Sequence, residues 1–217
     1  MTRFDLIVFD WDGTLFDSTA LIVRCIQHAC RDVGARVPCD ADAAYVIGLG
    51  LGDALRHVAP DLPEQRYPEL GARYRHHYVT SQHELSLFPG TLEMLQALKV
   101  RHRWLAVATG KGRRGLDDAL AHAQLQGLFD GTRTADETAS KPDPRMLHEL
   151  MREFGVEPER TLMIGDTTHD LQLAANAGTA SVAVSFGAHE HDSFTAFAPL
   201  HVAHSTHELH GWLIANA

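Results

Sequence analysis

Long hydrophobic runs, a cysteine framework and an excess of positive charge are all missing from this 217-residue chain. The first apolar stretch, after Met1-Thr2-Arg3-Phe4-Asp5, is broken by Asp10 and Asp12, too early for a secretory leader or a membrane span. The expectation is a cytoplasmic protein with no membrane partner. Cys25, Cys30 and Cys39 are odd in number and lack metal-ligand spacing, which sets aside a disulfide framework and a zinc site and suits a reducing compartment. A formal net charge of -9 argues against nucleic acid as a partner, since that affinity rests on Lys and Arg neutralising phosphates. A small anionic ligand stays possible, because a divalent cation with one or two lysines can reverse the local field of a cleft.

What is present is an alternation. Short apolar runs at residues 6–9, 104–108, 161–164 and 180–184 each lead into a Gly- or Asp-containing turn and then helix-like periodicity, the pattern of a parallel α/β sheet. More than ninety residues without a convincing strand separate the first two runs, too many for one crossover, and residues 19–33 and 64–79 within them read as helices. Ser18 suits the N-cap of the first helix and Gly34 its C′ position. Phe88-Pro89-Gly90 marks the return to the sheet. The expected organisation is an α/β, Rossmann-like parallel-sheet core from residues 1–16 and 88–217, with residues 17–87 inserted as a helical cap and two linkers crossing at one edge as a hinge. No internal repeat or low-complexity tract is visible.

The chemistry-bearing residues sit where strands are expected to end. In Phe9-Asp10-Trp11-Asp12-Gly13-Thr14 two acids stand one residue apart, so both carboxylates could face one ligand, and Gly13 lets the chain turn away. Ligands of open α/β sheets bind beyond the carboxyl ends of the strands. A second acidic group, Gly165-Asp166-Thr167-Thr168-His169-Asp170, follows another apolar run. Asp170 also suits the first turn of a helix starting at Thr167 or Thr168, whereas capping does not explain Asp166. Acids gathered from two strand ends repel one another unless a cation binds, and Mg²⁺ suits a few carboxylates plus phosphate oxygens. Thr109-Gly110-Lys111 and Ser140-Lys141-Pro142 supply the hydroxyl and ammonium donors that a phosphoryl group needs. A P-loop reading of Gly110-Lys111 fails, because Leu105 and Gly112 stand where that motif needs Gly and Ser or Thr.

Asp10-x-Asp12-Gly13-Thr14, Thr109, Lys141-Pro142 and Gly165-Asp166-x-x-x-Asp170 together resemble the four ordered motifs of the haloacid dehalogenase superfamily, and the insert resembles the helical cap of its phosphoglycolate phosphatase and β-phosphoglucomutase branch. The resemblance implies Asp10 as nucleophile and metal ligand, and Asp12 as general acid/base and backbone-carbonyl metal ligand. It implies that Thr109 and Lys141 hold phosphate oxygens, that Asp166 ligates Mg²⁺, and that Asp170 orients Lys141 or a metal-bound water. Gly13, Thr14, Gly110, Lys111 and Arg56 are candidate substrate contacts, Arg56 for a second anionic group, and the Gly48–Gly52 loop is expected to face the substrate. The expected reaction is Mg²⁺-dependent hydrolysis of a small phosphomonoester, phosphoglycolate first. Pyrophosphate, nucleotide and sugar-phosphate substrates are the alternatives. A mutase is disfavoured because Ile22 stands where those members carry a His, and a dehalogenase because Asp12 is present. A phospho-accepting signalling module is the reading from another class; such modules are shorter and accept phosphate after a middle strand. The sequence favours neither monomer nor homodimer.

Fifteen histidines are unusual. His189-Glu190-His191-Asp192 reads as surface loop, His201 and His204 fall on or beside a short strand, His207 and His210 on a terminal helix, and His76 and His77 with Arg73 and Arg75 on a solvated helix face. Arg113 and Arg114 read as solvated helix residues.

Overall fold

The computed structural model describes residues 4–217; the first three residues of the expected core segment lie outside them. The chain opens with β1 (Leu6–Phe9) and then, without a strand, passes through α1 (Thr19–Asp32), α2 (Asp40–Tyr45), α3 (Leu51–Val58) and α4 (Tyr67–Ser81). It returns as α5 (Thr91–Val100), β2 (Trp104–Thr109), α6 (Arg113–His122), β3 (Gly131–Thr134) and α7 (Arg145–Phe154). β4 (Thr161–Gly165), α8 (Thr168–Ala177), β5 (Ala180–Val184), β6 (Val202–Ala203) and α9 (Thr206–Asn216) complete it.

The strands form one parallel sheet in the order β3-β2-β1-β4-β5-β6. β1 is buried throughout because both faces are covered, which is why its sequence is a continuous apolar run. Ile7 and Phe9 pack with Met94 and Leu95 of α5, Leu116 of α6 and Leu209 of α9. Leu6 and Val8 point the other way, onto Met146 and Leu147 of α7 and Leu173 of α8. This is the alternation that a pleated strand dictates. From β1 the sheet grows outward to β2 and β3 on one side and to β4, β5 and β6 on the other. The order reverses at β1, and that reversal opens a crevice beyond the strand ends, the place where α/β sheets bind ligands.

The expected runs match β1, β2, β4 and β5 to within a residue. The short β3 was not anticipated; its Gly-Thr-Arg-Thr sequence carries no apolar alternation, and it exists by pairing with β2 at the sheet edge. Residues 19–81 build an apolar cluster of their own, with Ile22 and Ile26 of α1, Ala43 of α2, Leu55 and Val58 of α3 and Leu70 of α4. The two connections to this insert run side by side. Asp17 N–H donates to the Ser86 carbonyl at 2.9 Å, Phe88 N–H to Leu15 at 3.0 Å, and Phe16 bridges Leu87 antiparallel. No helix among the described residues is long and apolar enough to cross a membrane.

Candidate active site

β1 ends one residue before Asp10, whose N–H donates to the Ile164 carbonyl at 2.8 Å and so fixes it beside the end of β4. One Asp10 carboxylate oxygen, Oδ1, lies 2.7 Å from Lys141 Nζ. The other, Oδ2, is buried with no hydrogen-bond donor. Lys141 also donates to Asp170 Oδ1 at 2.6 Å, so one fully buried ammonium serves two buried carboxylates. Asp166 completes the group, and single carboxylate oxygens of Asp10, Asp166 and Asp170 lie within 4.8 Å of one another.

Asp166 and Asp170 are held from behind. Thr14 donates to Asp166 Oδ1 at 2.8 Å, and the Ala188 N–H donates to Oδ2 at 2.7 Å. Thr167 is the N-cap of α8, and Asp170 closes a capping box by accepting the Thr167 N–H and hydroxyl at 3.1 and 2.7 Å. Asp170 therefore both caps its helix and orients Lys141. Gly13 has φ +78, and a Cβ there would stand 2.1 Å from Asp166 Oδ2, so only glycine lets the chain turn this close to the second acid.

Burial pushes the Asp10 carboxyl well above the ordinary range, with Lys141 pulling against it. Burial and the neighbouring Asp170 charge raise Asp166 to about 7. Burial works against the Lys141 ammonium too, but Asp10 and Asp170 outweigh it and hold it charged. Three acids around one ammonium, with a buried carboxylate oxygen left without a donor, form a donor set that a small divalent cation fits.

Asp12 aims elsewhere. Its Oδ1 accepts the Ser18 hydroxyl at 2.6 Å and its Oδ2 lies 3.1 Å from Lys111 Nζ. Ser18 was expected to cap α1; it stands at the cap position, but its hydroxyl is spent on Asp12 and makes no capping bond. Gly34 follows the helix with φ +66, as its position implied. Lys111 also donates to the Tyr78 hydroxyl at 3.0 Å and sits 4.4 Å from the centre of that ring. Thr109 is buried at the end of β2, its Oγ1 accepting the Lys111 N–H at 3.2 Å.

Asp12, Gly110, Lys111 and Ser140 form the sheet side of a cavity of about 880 Å³, and α1, α3, α4 and the Gly48–Gly52 loop form its other side. The loop closes onto the sheet domain through the Gly50 N–H, which donates to Ser140 Oγ at 2.8 Å. A Cβ on Gly110 would lie 2.3 Å from the Leu49 carbonyl oxygen, so this approach needs glycine. Arg56 is not brought to the cavity. Its guanidinium pairs with Glu64 at 2.7 Å and stands over Tyr67, largely exposed.

A family model described as haloacid dehalogenase-like hydrolase matches residues 7–184, which span every acid of this site. The chain belongs to that family. It is 35% identical over 199 residues to a probable phosphatase, IndB, of Dickeya dadantii, covering 89% of this chain and 86% of the relative. It is 33% identical over 191 residues to a phosphoglycolate phosphatase of Aliivibrio fischeri, covering 84% of each. A haloacid dehalogenase-like family hydrolase from Streptococcus pneumoniae superposes with a TM-score of 0.84 at 25% identity, covering 98% of this chain and 99% of that one.

In this haloacid dehalogenase-like hydrolase, several contacting residues escaped the sequence. Tyr74 and Tyr78 are i and i+4 on α4, a spacing that marks one helix face among the polar Arg73, Arg75, His76 and His77. His77 and Arg73 both hold Asp32 of α1, at 2.7 and 2.6 Å. His189, expected in a surface loop, is buried. Its Nδ1 accepts the Thr168 N–H at 3.1 Å, and its Nε2–H donates to the Tyr45 carbonyl at 3.0 Å, where His169 Nε2–H also donates at 2.7 Å. His191 and Asp192 beside it are exposed, as a surface loop implies. His201 and His204 flank β6, and His207 and His210 lie on α9. Arg114 is exposed, with Asp118 one helical turn on at 4.0 Å, whereas Arg113 pairs with Glu137 at 2.7 Å.

Proposed function

We propose that the chain is a Mg²⁺-dependent phosphatase that hydrolyses phosphomonoesters through an aspartyl-phosphate on Asp10. The observation that carries the reading is Asp10 itself: a buried carboxylate at the switch point of the sheet, one oxygen on Lys141, the other without a donor, with Asp166 and Asp170 alongside. Family membership and relatives named as phosphatases support the same reaction class.

Asp10 and Asp166 would hold the metal with the Asp12 backbone carbonyl, and a bound divalent ion would offset the repulsion between a carboxylate nucleophile and a phosphate dianion. An Asp10 oxygen attacks phosphorus in line as the bond to the ester oxygen breaks, and Asp12 gives that oxygen its proton. In the second half Asp12 takes a proton from water, the water oxygen attacks phosphorus, and the bond to Asp10 breaks, restoring the carboxylate and releasing phosphate. The Ser18 and Lys111 donors on Asp12 suit the second half, since both bonds are accepted by a carboxylate. Lys141 and Thr109 would hold phosphate oxygens, with Asp170 keeping Lys141 in place. Thr14 acts through Asp166, and Gly13 and Gly110 through the close approaches they permit. Arg56, paired with Glu64, has no substrate to reach in this arrangement. The partner is thus a phosphorylated metabolite, with cytoplasm the compartment that three free thiols suit.

Asp10→Asn tests the reading. Phosphate release from p-nitrophenyl phosphate should fall by roughly 10⁴-fold or more with the thermal transition retained, and EDTA should silence the wild type. Full activity in the folded variant removes Asp10 from the mechanism. A stable stoichiometric phosphoprotein without turnover replaces the enzyme with a signalling module.

A further inference from the structure

Resting on the phosphatase reading, we propose that the substrate is the phosphate ester of a bulky, ring-bearing, largely uncharged alcohol rather than of a two-carbon acid. The first ground is size. The cavity beside Asp12 holds about 880 Å³, within the roughly 300–1,000 Å³ that ligands of drug size occupy. Glycolate would leave most of it to water.

The second ground is the wall. Lining the cavity with Asp12 are Ile22 and Ile26 of α1, Leu51 and Leu55 of α3, and Tyr74 and Tyr78 of α4. The two tyrosine rings lie 6.1 Å apart at 29° and are partly buried against the apolar cluster of the insert. Such a surface gains chiefly by desolvating apolar substrate atoms, and its only polar groups are two neutral tyrosine hydroxyls, which carry no charge to match a carboxylate.

The third ground is charge. A second anionic group on the substrate needs a cation facing the cavity interior. Lys111 faces it and is already engaged by Asp12 and Tyr78, at 3.1 and 3.0 Å. Arg56 is turned to Glu64. Arg75, His76 and Arg114 also line the cavity as exposed residues, together with exposed Asp53 and Asp118, so this part of the lining carries both signs and no cation there is buried. A leaving group with one or two hydroxyl or amide functions meets the Lys111 and Tyr78 donors without needing a further charge.

Three primary alkyl esters test this, because their intrinsic leaving-group reactivity is similar: naphthylethyl phosphate, ethyl phosphate and phosphoglycolate, each followed by phosphate release with Mg²⁺. The wild-type enzyme should show kcat/KM for the naphthylethyl ester at least about tenfold above both others. Leu51→Trp, which fills the chamber from a partly buried wall position, should lower the naphthylethyl-to-ethyl ratio by about tenfold. Phosphoglycolate equal to or better than the naphthylethyl ester overturns the chamber assignment and leaves the phosphatase standing. An unmoved ratio in a folded Leu51→Trp protein likewise overturns it. Release from none of the three strikes the phosphatase reading itself.

Discussion

The two sides of the cavity are made of different materials. On the sheet side, Asp10, Lys141, Asp166 and Asp170 are buried charges fixed at strand ends and by a helix cap. On the insert side, aliphatic side chains, two tyrosines and a loop with three glycines line the cavity that Asp12 and Lys111 border from the sheet. The first arrangement has no slack, since each charge is tolerable only because its neighbour stays where it is. The second touches that group of charges only indirectly, through Tyr78 on Lys111 and Ser18 on Asp12, and its aliphatic wall can change size and shape apart from them. On the proposed function, reaction type and substrate choice would fall to separate parts of the chain, and the comparison can be pressed from either side.

The largest effect belongs to the charged side. Lys141→Ala leaves Asp10 and Asp170 facing each other without their cation, and breaking a buried pair this way costs about 3–5 kcal/mol. Urea unfolding of the metal-free protein should register a loss of that order, and Mg²⁺ should return more stability to the variant than to the wild type. A loss under about 1 kcal/mol would mean that the trio behaves like a surface pair. Next comes the seam between the two sides. Gly110→Ala places a methyl group against the Leu49 carbonyl, so the loop must draw back. Turnover should fall by roughly 10- to 100-fold, as misplacement of about an ångström does, with Mg²⁺ affinity by calorimetry unchanged. Lost Mg²⁺ affinity would show that the seam and the acidic centre are one unit.

The smallest effect is a pH dependence. Asp166 has an ordinary value of 3.8 and is raised by burial to about 7, so between these values the folded metal-free protein binds a proton that the unfolded chain does not. Its contribution to stability therefore declines as pH rises through 7. Mg²⁺ competes with that proton, and the rise in Tm on adding Mg²⁺ should be greater at pH 8 than at pH 6. His169 and His189, whose pKa values burial lowers, are present with and without metal and cancel in the difference. An equal rise at both pH values would separate Asp166 from the metal.

The sheet side was the legible one. An isolated acid after an apolar run reads equally as a turn or a helix cap, but two acids one residue apart after one run and Gly-Asp after another point to strand ends, and Asp10 and Asp166 both stand just past their strands. The insert side was less so, because its contacts join residues far apart in sequence. His189 looked like a loop residue, and nothing local reveals partners at Tyr45 and Thr168, 144 and 21 positions away. Ser18 had the right type and place for a cap, yet a carboxylate six residues back outcompetes the helix N–H groups for its hydroxyl. Arg56 was legible as a cation but not in its direction, which Glu64 eight residues on decides.

The paired linkers carry a last consequence. Asp17 and Ser86, hydrogen-bonded at 2.9 Å, hold the two ends of the insert at one doorway. A polymer grafted at such a doorway has its ends already joined, and doubling its length adds only about 0.6 kcal/mol of closure entropy. Length alone is thus a cheap variable at this doorway, and what ties this particular insert to the strand ends is the pair of side chains, Ser18 and Tyr78, that reach Asp12 and Lys111.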